Sequence, residues 1–161
     1  MPEKGFAGQP QENGAVFPNG PEHAQVFEFT VGFTQDVMEH VFHPERVFKE
    51  IARTLKPGGA HIFTVPLVNK NKPSKRRAEI SKDSQIIHHE PTVYHGNPIS
   101  EEGSLVTMDW GNDICARIFG ASGLFTHIVL IDDISKGIRA EYLEVLVTLK
   151  PGVSETENAL R

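Results

Sequence analysis

Glu39 and His40 are neighbours in the sequence and combine a carboxylate with an imidazole. Such a pair could orient a hydroxyl or amine group and accept its proton, which is the work of a general base. The competing interpretation is that both residues only stabilise a turn between a strand and a helix. Asp36 precedes the pair and could have a binding role. The alternative is that it only caps a helix or stabilises a turn.

Histidines elsewhere in the chain raise the question of a metal site. Those considered together are His40, His43, His61, His88, His89 and His95. Zinc ligands must converge on one point and are held there by a second layer of hydrogen bonds. The spacing of His88, His89 and His95 matches no strong zinc template, so we expect no metal site. A small metal-dependent module stays the weakest of the functional hypotheses.

Hydrophobic patterning predicts the elements that must position these residues. The first predicted strand has apolar residues at alternate positions, namely Phe27, Phe29, Val31 and Phe33. This period of two predicts a strand with one buried apolar face. A helix is expected from residue 43 to the Pro-Gly-Gly turn at 57–59, and a second strand at 60–65. The order strand, helix, strand predicts that the two strands are parallel and joined by a right-handed crossover.

Residues 67–104 lack periodicity and are predicted to form a long irregular insertion, which in a compact domain is often functional. It carries a basic run, namely Lys70, Lys72, Lys75, Arg76 and Arg77. We interpret this run as a solvated loop, with a site for an acceptor bearing phosphate or carboxylate as the alternative. A second helix at 112–121 and an antiparallel strand pair at 126–131 and 142–149 are expected to follow.

Composition limits the classes of protein to consider. The chain has 161 residues and a net charge of −5, which argues against nonspecific binding to nucleic acid or to an anionic membrane. No apolar run approaches the roughly 20 residues that span a bilayer. Because a lone cysteine, Cys115, cannot form an internal disulfide, a cytoplasmic protein is expected. Residues 1–25 are predicted to be loop or disordered, 26–150 to form one domain, and 151–161 to form a flexible tail.

Three short pieces together carry a resemblance to a known family. They are the run Gln-Asp-Val-Met-Glu-His-Val at 35–41, the turn Leu-Lys-Pro-Gly-Gly at 55–59 and the strand end Thr-Val-Pro at 64–66. The series is similar to the segment after the fourth strand of class I S-adenosylmethionine-dependent methyltransferases. The resemblance implies an α/β fold: part of a Rossmann-like sheet of order 3-2-1-4-5-7-6, with parallel strands and an antiparallel C-terminal strand pair.

The same resemblance implies roles for particular residues. Gln35, Asp36 and Val37 would lie near the methionine moiety of S-adenosylmethionine, and Glu39 and His40 would reach the site of methyl transfer. Methyl transfer from a sulfonium depends mainly on holding the nucleophile and the methyl group in line. The absence of an obvious catalytic dyad is therefore compatible with this chemistry.

An insertion after the fifth strand commonly lies over the acceptor site in this family. Residues 67–104 would then face the substrate, with Tyr94, His95 and Asn97 as candidate substrate-binding residues. The resemblance supplies a location only, because the family shares no single acceptor motif there. The expected partner is a small-molecule acceptor, with neither nucleic acid nor membrane involved.

The sequence also departs from the family pattern. The glycine-rich loop, an acidic residue followed by G-x-G-x-G, is absent, although its glycines normally let the backbone approach the cofactor. Three further strands and their helices cannot fit before the first predicted strand. The strand at 27–33 would therefore be a sheet edge, and exposed edges favour a homodimer or a partner complex.

Two functions follow from these expectations. The first is an S-adenosylmethionine-dependent methyltransferase that acts on a small-molecule or glycan-like acceptor. The alternative is a truncated, catalytically inactive methyltransferase-like protein, which acts as an interaction module or survives as a remnant.

Overall fold

A computed structural model describes residues 28–97 and 101–153 of the chain. The predicted loop or disorder at 1–25 lies outside the described residues, as does most of the predicted tail at 151–161. Within the described part no helix is long and apolar enough to cross a membrane.

A four-stranded sheet forms the centre of the described chain. In chain order its strands are β1 (Phe29–Gln35), β2 (Leu55–Thr64), β9 (Phe125–Leu130) and β10 (Glu144–Leu149). They lie in the order β1-β2-β10-β9, with β1 parallel to β2 and with β10 antiparallel to both of its neighbours. This arrangement corresponds to the 4-5-7-6 part of the expected sheet, so the predicted partial Rossmann-like fold is confirmed.

The first helix, α1 (Pro44–Thr54), begins where the sequence predicts, with proline in its first turn. The prediction that it continues to Pro57-Gly58-Gly59 is wrong. Leu55 already has an extended backbone, is fully buried and pairs with Phe29 of β1. The Pro-Gly-Gly turn is instead an irregularity inside β2, where Gly58 has a φ of 79° and its N–H donates to Lys150 O at 3.0 Å.

The second helix, α2 (Ile114–Ser122), packs against α1, and both helices lie on one face of the sheet. Gly123 ends it in the left-handed conformation, with a φ of 71°. The core between helices and sheet is one apolar cluster made of Met38, Phe48, Phe63, Val65, Leu67, Met108, Trp110, Ile114, Ile118 and Leu146.

The orientation of β1 differs from the prediction that its apolar face is buried. Val31 and Phe33 are 46% and 73% exposed. Gly32 and Thr34 face the helices instead, and the hydroxyl of Thr34 lies 3.0 Å from His61 Nε2. The pairing with β2 decides this, because it aligns Thr34 with the buried Phe63. Among the described strands, β1 lies at one edge of the sheet, as expected.

The insertion at 67–104 is more ordered than the irregular stretch that the sequence predicts. It contributes most of six short strands: β3 (Lys75–Arg76), β4 (Ala78–Ile80), β5 (Ile86–His88), β6 (Tyr94–His95), β7 (Ser104–Leu105) and β8 (Met108–Asp109). They form three antiparallel pairs, β3 with β8, β4 with β5 and β6 with β7. Strands of two or three residues are too short to show a period in the sequence.

Four of the five cations in the basic run of this insertion form ion pairs with carboxylates, while Lys72 and Lys75 remain exposed to solvent. The ion pairs are Lys70 with Glu144, Lys75 with Glu90, Arg76 with Glu45 and Arg77 with Asp109. The Arg77–Asp109 pair is the least exposed of these, with an N–O distance of 2.7 Å. Because these four cations are already paired, they present less free charge to an anionic acceptor, although pairs this exposed add little stability.

Candidate active site

The candidate site begins where β1 and β2 end at the same edge of the sheet. Asp36 follows β1 with a φ of 49°, and its N–H donates to Thr64 O at 3.1 Å. The hydroxyl of Thr64 donates to Asp36 Oδ1 at 3.3 Å. Aspartate tolerates this left-handed conformation better than most residues do. Asp36 thus joins the two strand ends and directs the chain out of the sheet.

A single 3₁₀ turn at Met38–His40 comes next and is anchored by Thr107. The carbonyl of Glu39 accepts from the backbone N–H of Thr107 at 2.7 Å and from its hydroxyl at 3.1 Å. Nδ1 of His40 donates to Leu105 O at 2.8 Å. The turn is therefore held from outside by the segment that contains β7.

The carboxylate of Glu39 is the least expected feature of this turn. Its side chain is 3% exposed, and within the described chain neither oxygen has a hydrogen-bond donor. Burial raises the pKa of the Glu39 carboxyl above its usual value; the charge of Asp36 raises it further, and His40 opposes the shift. A buried carboxylate without donors is costly, so this group needs a partner.

His95 of β6 approaches the same carboxylate from the insertion. Its Nδ1 lies 3.8 Å from Glu39 Oε1, and Nε2 of His40 lies 3.7 Å from the same oxygen. The two imidazole rings meet edge to face, with centroids 5.0 Å apart. Burial, followed by the proximity of His40, lowers the pKa of His95. The structure thus brings the predicted catalytic pair and one predicted acceptor residue into a single cluster.

The other predicted site residues lie around this cluster in different settings. Gln35 and Asp36 line a cavity of about 330 Å³, together with Thr64, Pro66, Ala140, Glu141, Tyr142 and Glu144. Val37 and Tyr94 are exposed. The amide of Asn97 donates to Ser104 Oγ at 2.9 Å, which ties it to β7.

His40 joins His95 in this cluster, whereas other histidines that the sequence grouped with them are placed elsewhere. His61 is buried in β2 beside Thr34, and burial lowers its pKa to about 4. His89 lies 3.6 Å from Glu79 at an exposed position. The spacing of His88, His89 and His95 therefore does not describe the cluster that forms.

Leu105 and Thr107 organise the site but carried no signal in the sequence. They act through a backbone carbonyl, a backbone N–H and one hydroxyl, and any residue type supplies the first two. Only the fold could reveal them.

Comparison with known proteins locates a family signal in this part of the chain. Residues 24–63 match the profile of a family described as a methyltransferase domain. The matched segment includes β1, Asp36, the turn at Met38–His40, α1 and nearly all of β2. No curated protein matches the chain.

Three solved structures are similar to it at low identity. An S-adenosylmethionine-dependent methyltransferase from Mesorhizobium loti is 15% identical, with a TM-score of 0.43 over 75% of this chain and 61% of that one. One from Methanosarcina mazei is 11% identical, with a TM-score of 0.41 over 79% and 61%. One from Clostridium acetobutylicum is 15% identical, with a TM-score of 0.37 over 78% and 59%.

The matched part of this chain thus spans less than two thirds of the length of each of these proteins. At identities and TM-scores this low, the three structures add nothing to the match at residues 24–63. The chain is therefore similar to the methyltransferase-domain family over residues 24–63, and its sheet has the order β1-β2-β10-β9 expected for part of a Rossmann-like fold.

Proposed function

We propose that this chain takes part in methyl transfer from S-adenosylmethionine to a small-molecule or glycan-like acceptor. The observation that carries the proposal is the family match at 24–63, which contains the candidate site from Gln35 to His40.

The residues at the ends of β1 and β2 suit the methionine end of the cofactor. The methionine end of S-adenosylmethionine carries positive charges at its sulfonium and its amino group and a negative charge at its carboxylate, so its net charge is positive. The cavity lined by Gln35 and Asp36 also carries the carboxylates of Glu141 and Glu144, although Glu144 pairs with Lys70. A negatively lined cavity attracts such cations. We therefore assign Gln35, Asp36 and Val37 to the cofactor, which supplies the methyl group.

Glu39 and His40 would act on the acceptor. Holding the attacking atom in line with the methyl group supplies much of the rate enhancement in such a reaction. His40 is 19% exposed and is oriented by Leu105 O, so its Nε2 is available to accept the proton of a hydroxyl or amine. His95, Tyr94 and Asn97 would contact the rest of the acceptor from the insertion.

A thermal shift with S-adenosylhomocysteine tests cofactor binding directly. A ligand that binds only the folded chain stabilises it by about 2.7 kcal/mol when present at roughly 100 times its Kd. We expect a saturable rise in Tm that Asp36→Asn reduces, because this change removes a charge but keeps an oxygen for Thr64. Asp83→Asn, in an exposed loop, is the matched control and should leave the shift unchanged. A well-folded chain that shows no shift at millimolar ligand would contradict the proposal for this polypeptide.

A second candidate function is a catalytically inactive interaction module. The observation that favours it is the sheet edge at β1, where Val31 and Phe33 are exposed. An unpaired strand edge with apolar side chains favours pairing with another chain, either a second copy or a different partner. This function predicts association without cofactor binding, so the thermal shift separates it from the first.

A further inference from the structure

We propose that Glu39, His40 and His95 form a three-ligand site for a divalent transition-metal cation, with Zn²⁺ as the reference ion. One carboxylate oxygen and one imidazole nitrogen from each histidine all lie within 4.8 Å of one another. Two imidazoles and one carboxylate are a donor set that binds zinc and related first-row cations.

The unpartnered carboxylate of Glu39 favours a bound cation. Its carboxylate is almost completely buried, and neither oxygen has a hydrogen-bond donor in the described chain. A charged group in such a position is stabilised by a counter-charge or by a metal ion. Its Oε1 is oriented towards both histidines, at 3.7 Å from His40 and 3.8 Å from His95.

The tautomer of His40 also favours a bound cation. Because Leu105 O can only accept a hydrogen bond, Nδ1 of His40 carries the proton that it donates at 2.8 Å. In the neutral imidazole, Nε2 then presents a lone pair towards the Glu39 carboxylate. Metal-ligating histidines are held in this way, with the other ring nitrogen donating to a backbone carbonyl.

The segment from Ser104 to Thr107 positions all three ligands. Its Leu105 carbonyl orients His40, and its Ser104 pairs with His95 of β6. Thr107, two residues further on, holds the carbonyl of Glu39. One short segment therefore positions ligands from two distant parts of the chain, as a fixed metal site requires.

Geometry and charge fit a small cation. Two ligands at about 2.0–2.1 Å from a tetrahedral zinc ion lie roughly 3.4 Å apart, so the 3.7 and 3.8 Å separations need small inward movements, and no pair of ligand atoms starts more than 4.8 Å apart. His95, which is 43% exposed, has room for this adjustment. Asp36 adds negative charge close to both Glu39 and His95. Three protein ligands also leave a coordination position open.

Metal binding and proton acceptance compete at His40. A cation would occupy the Nε2 lone pair that the general-base role needs, so only one of the two roles can operate at a time. The metal site does not depend on the proposed methyl transfer, and it is tested without cofactor or acceptor. A failed thermal shift with S-adenosylhomocysteine would therefore leave it standing.

Isothermal calorimetry with zinc chloride tests the site on the full chain, purified without a histidine tag and freed of metal by a chelator. We expect one zinc ion per chain. Loss of an outer-layer partner alone weakens metal affinity about 10–100-fold, so Glu39→Gln and His95→Ala should each weaken it by about 100-fold or more. His88→Ala removes an exposed histidine of the same insertion and should leave the affinity unchanged.

Cobalt(II) provides a second readout that does not depend on heat. Its visible absorption should report ligation by the wild type and by His88→Ala, and should be lost in His95→Ala, whose partly exposed position makes misfolding a minor concern. Circular dichroism checks that each variant is folded. The proposal is overturned if the folded wild type binds no zinc at millimolar concentration. Equal affinities of wild type and His95→Ala would also overturn it, because binding would then come from other surface histidines.

Discussion

Nδ1 of His95 lies 3.8 Å from Oε1 of Glu39, although α1, β2 and the first part of the insertion lie between the two residues in the chain. The contact joins the end of the first parallel strand to the segment that was expected to cover an acceptor. A backbone pairing places His95 at this contact, because His95 and Ser104 are partners in the β6–β7 ladder. Any role of Glu39 and His40 therefore depends on how the insertion folds.

Gly103→Ala should weaken the cluster by displacing His95. Gly103 has a φ of 80°, and an added Cβ would lie 2.4 Å from the His95 carbonyl oxygen. We expect a lower Tm and a zinc affinity reduced about 10-fold or more, as for loss of a positioning contact. Gly137→Ala is the matched control: its φ is 73°, but an added Cβ meets nothing within 4 Å. Equal zinc affinities of the two variants would show that the close approach of Gly103 does not position His95.

Because of His61, the free energy of unfolding should fall as the pH is lowered. Its pKa is about 4 in the folded chain and 6.5 in the unfolded one, so the unfolded chain binds the proton more readily. The contribution of neutral His61 to the free energy of unfolding is present above pH 6.5 and is lost as the pH falls towards 4. The free energy of unfolding should fall by about 3 kcal/mol over this range because of His61.

Urea denaturation between pH 4 and 7, about the range over which this group titrates, checks the expectation. In His61→Gln this part of the pH dependence should vanish. The control is His127→Gln, which replaces an exposed histidine of the same sheet and should retain the wild-type slope. An unchanged slope in His61→Gln would assign the acid sensitivity to other groups.

Phe33→Lys should reduce association if β1 is used for binding. Phe33 is 73% exposed on the edge strand, and a lysine at a sheet edge opposes pairing with another chain. Sedimentation velocity over a range of concentrations should show an oligomer for the wild type and a monomer for this variant. Leu130→Lys, at an exposed position on the opposite edge, is the control and should associate like the wild type. A wild type that stays monomeric at high concentration would contradict self-association through this edge.

Trp110→Ala should be strongly destabilising. Trp110 is fully buried and packs on Phe48 of α1, with ring centroids 6.1 Å apart. Removal of a buried tryptophan ring costs about 3–5 kcal/mol. Trp110→Phe should cost clearly less, because it keeps an aromatic ring and removes an indole N–H that is buried without a hydrogen-bond acceptor in the described chain. Chemical denaturation of both variants measures the difference, and equal losses would contradict this account of the N–H group.

The regular elements of this protein were largely determined by the sequence. Residues 44–54 place their apolar side chains on one stripe, and proline at the start makes the helix boundary readable. The strands of the main sheet are long enough to show a period of two or an apolar run. The same local features carry the family resemblance at 35–66, because it depends on residues that are close in sequence.

Tertiary structure alone decided which surfaces and side chains meet. The alternation in β1 predicted an apolar face but not its direction, and pairing with β2 turned Phe33 outward and Thr34 inward. The short ladders of the insertion have no period, yet one of them carries His95 to Glu39. Helix and strand periods arise from neighbouring residues, whereas this cluster arises from backbone hydrogen bonds between distant segments, which any residue type can form.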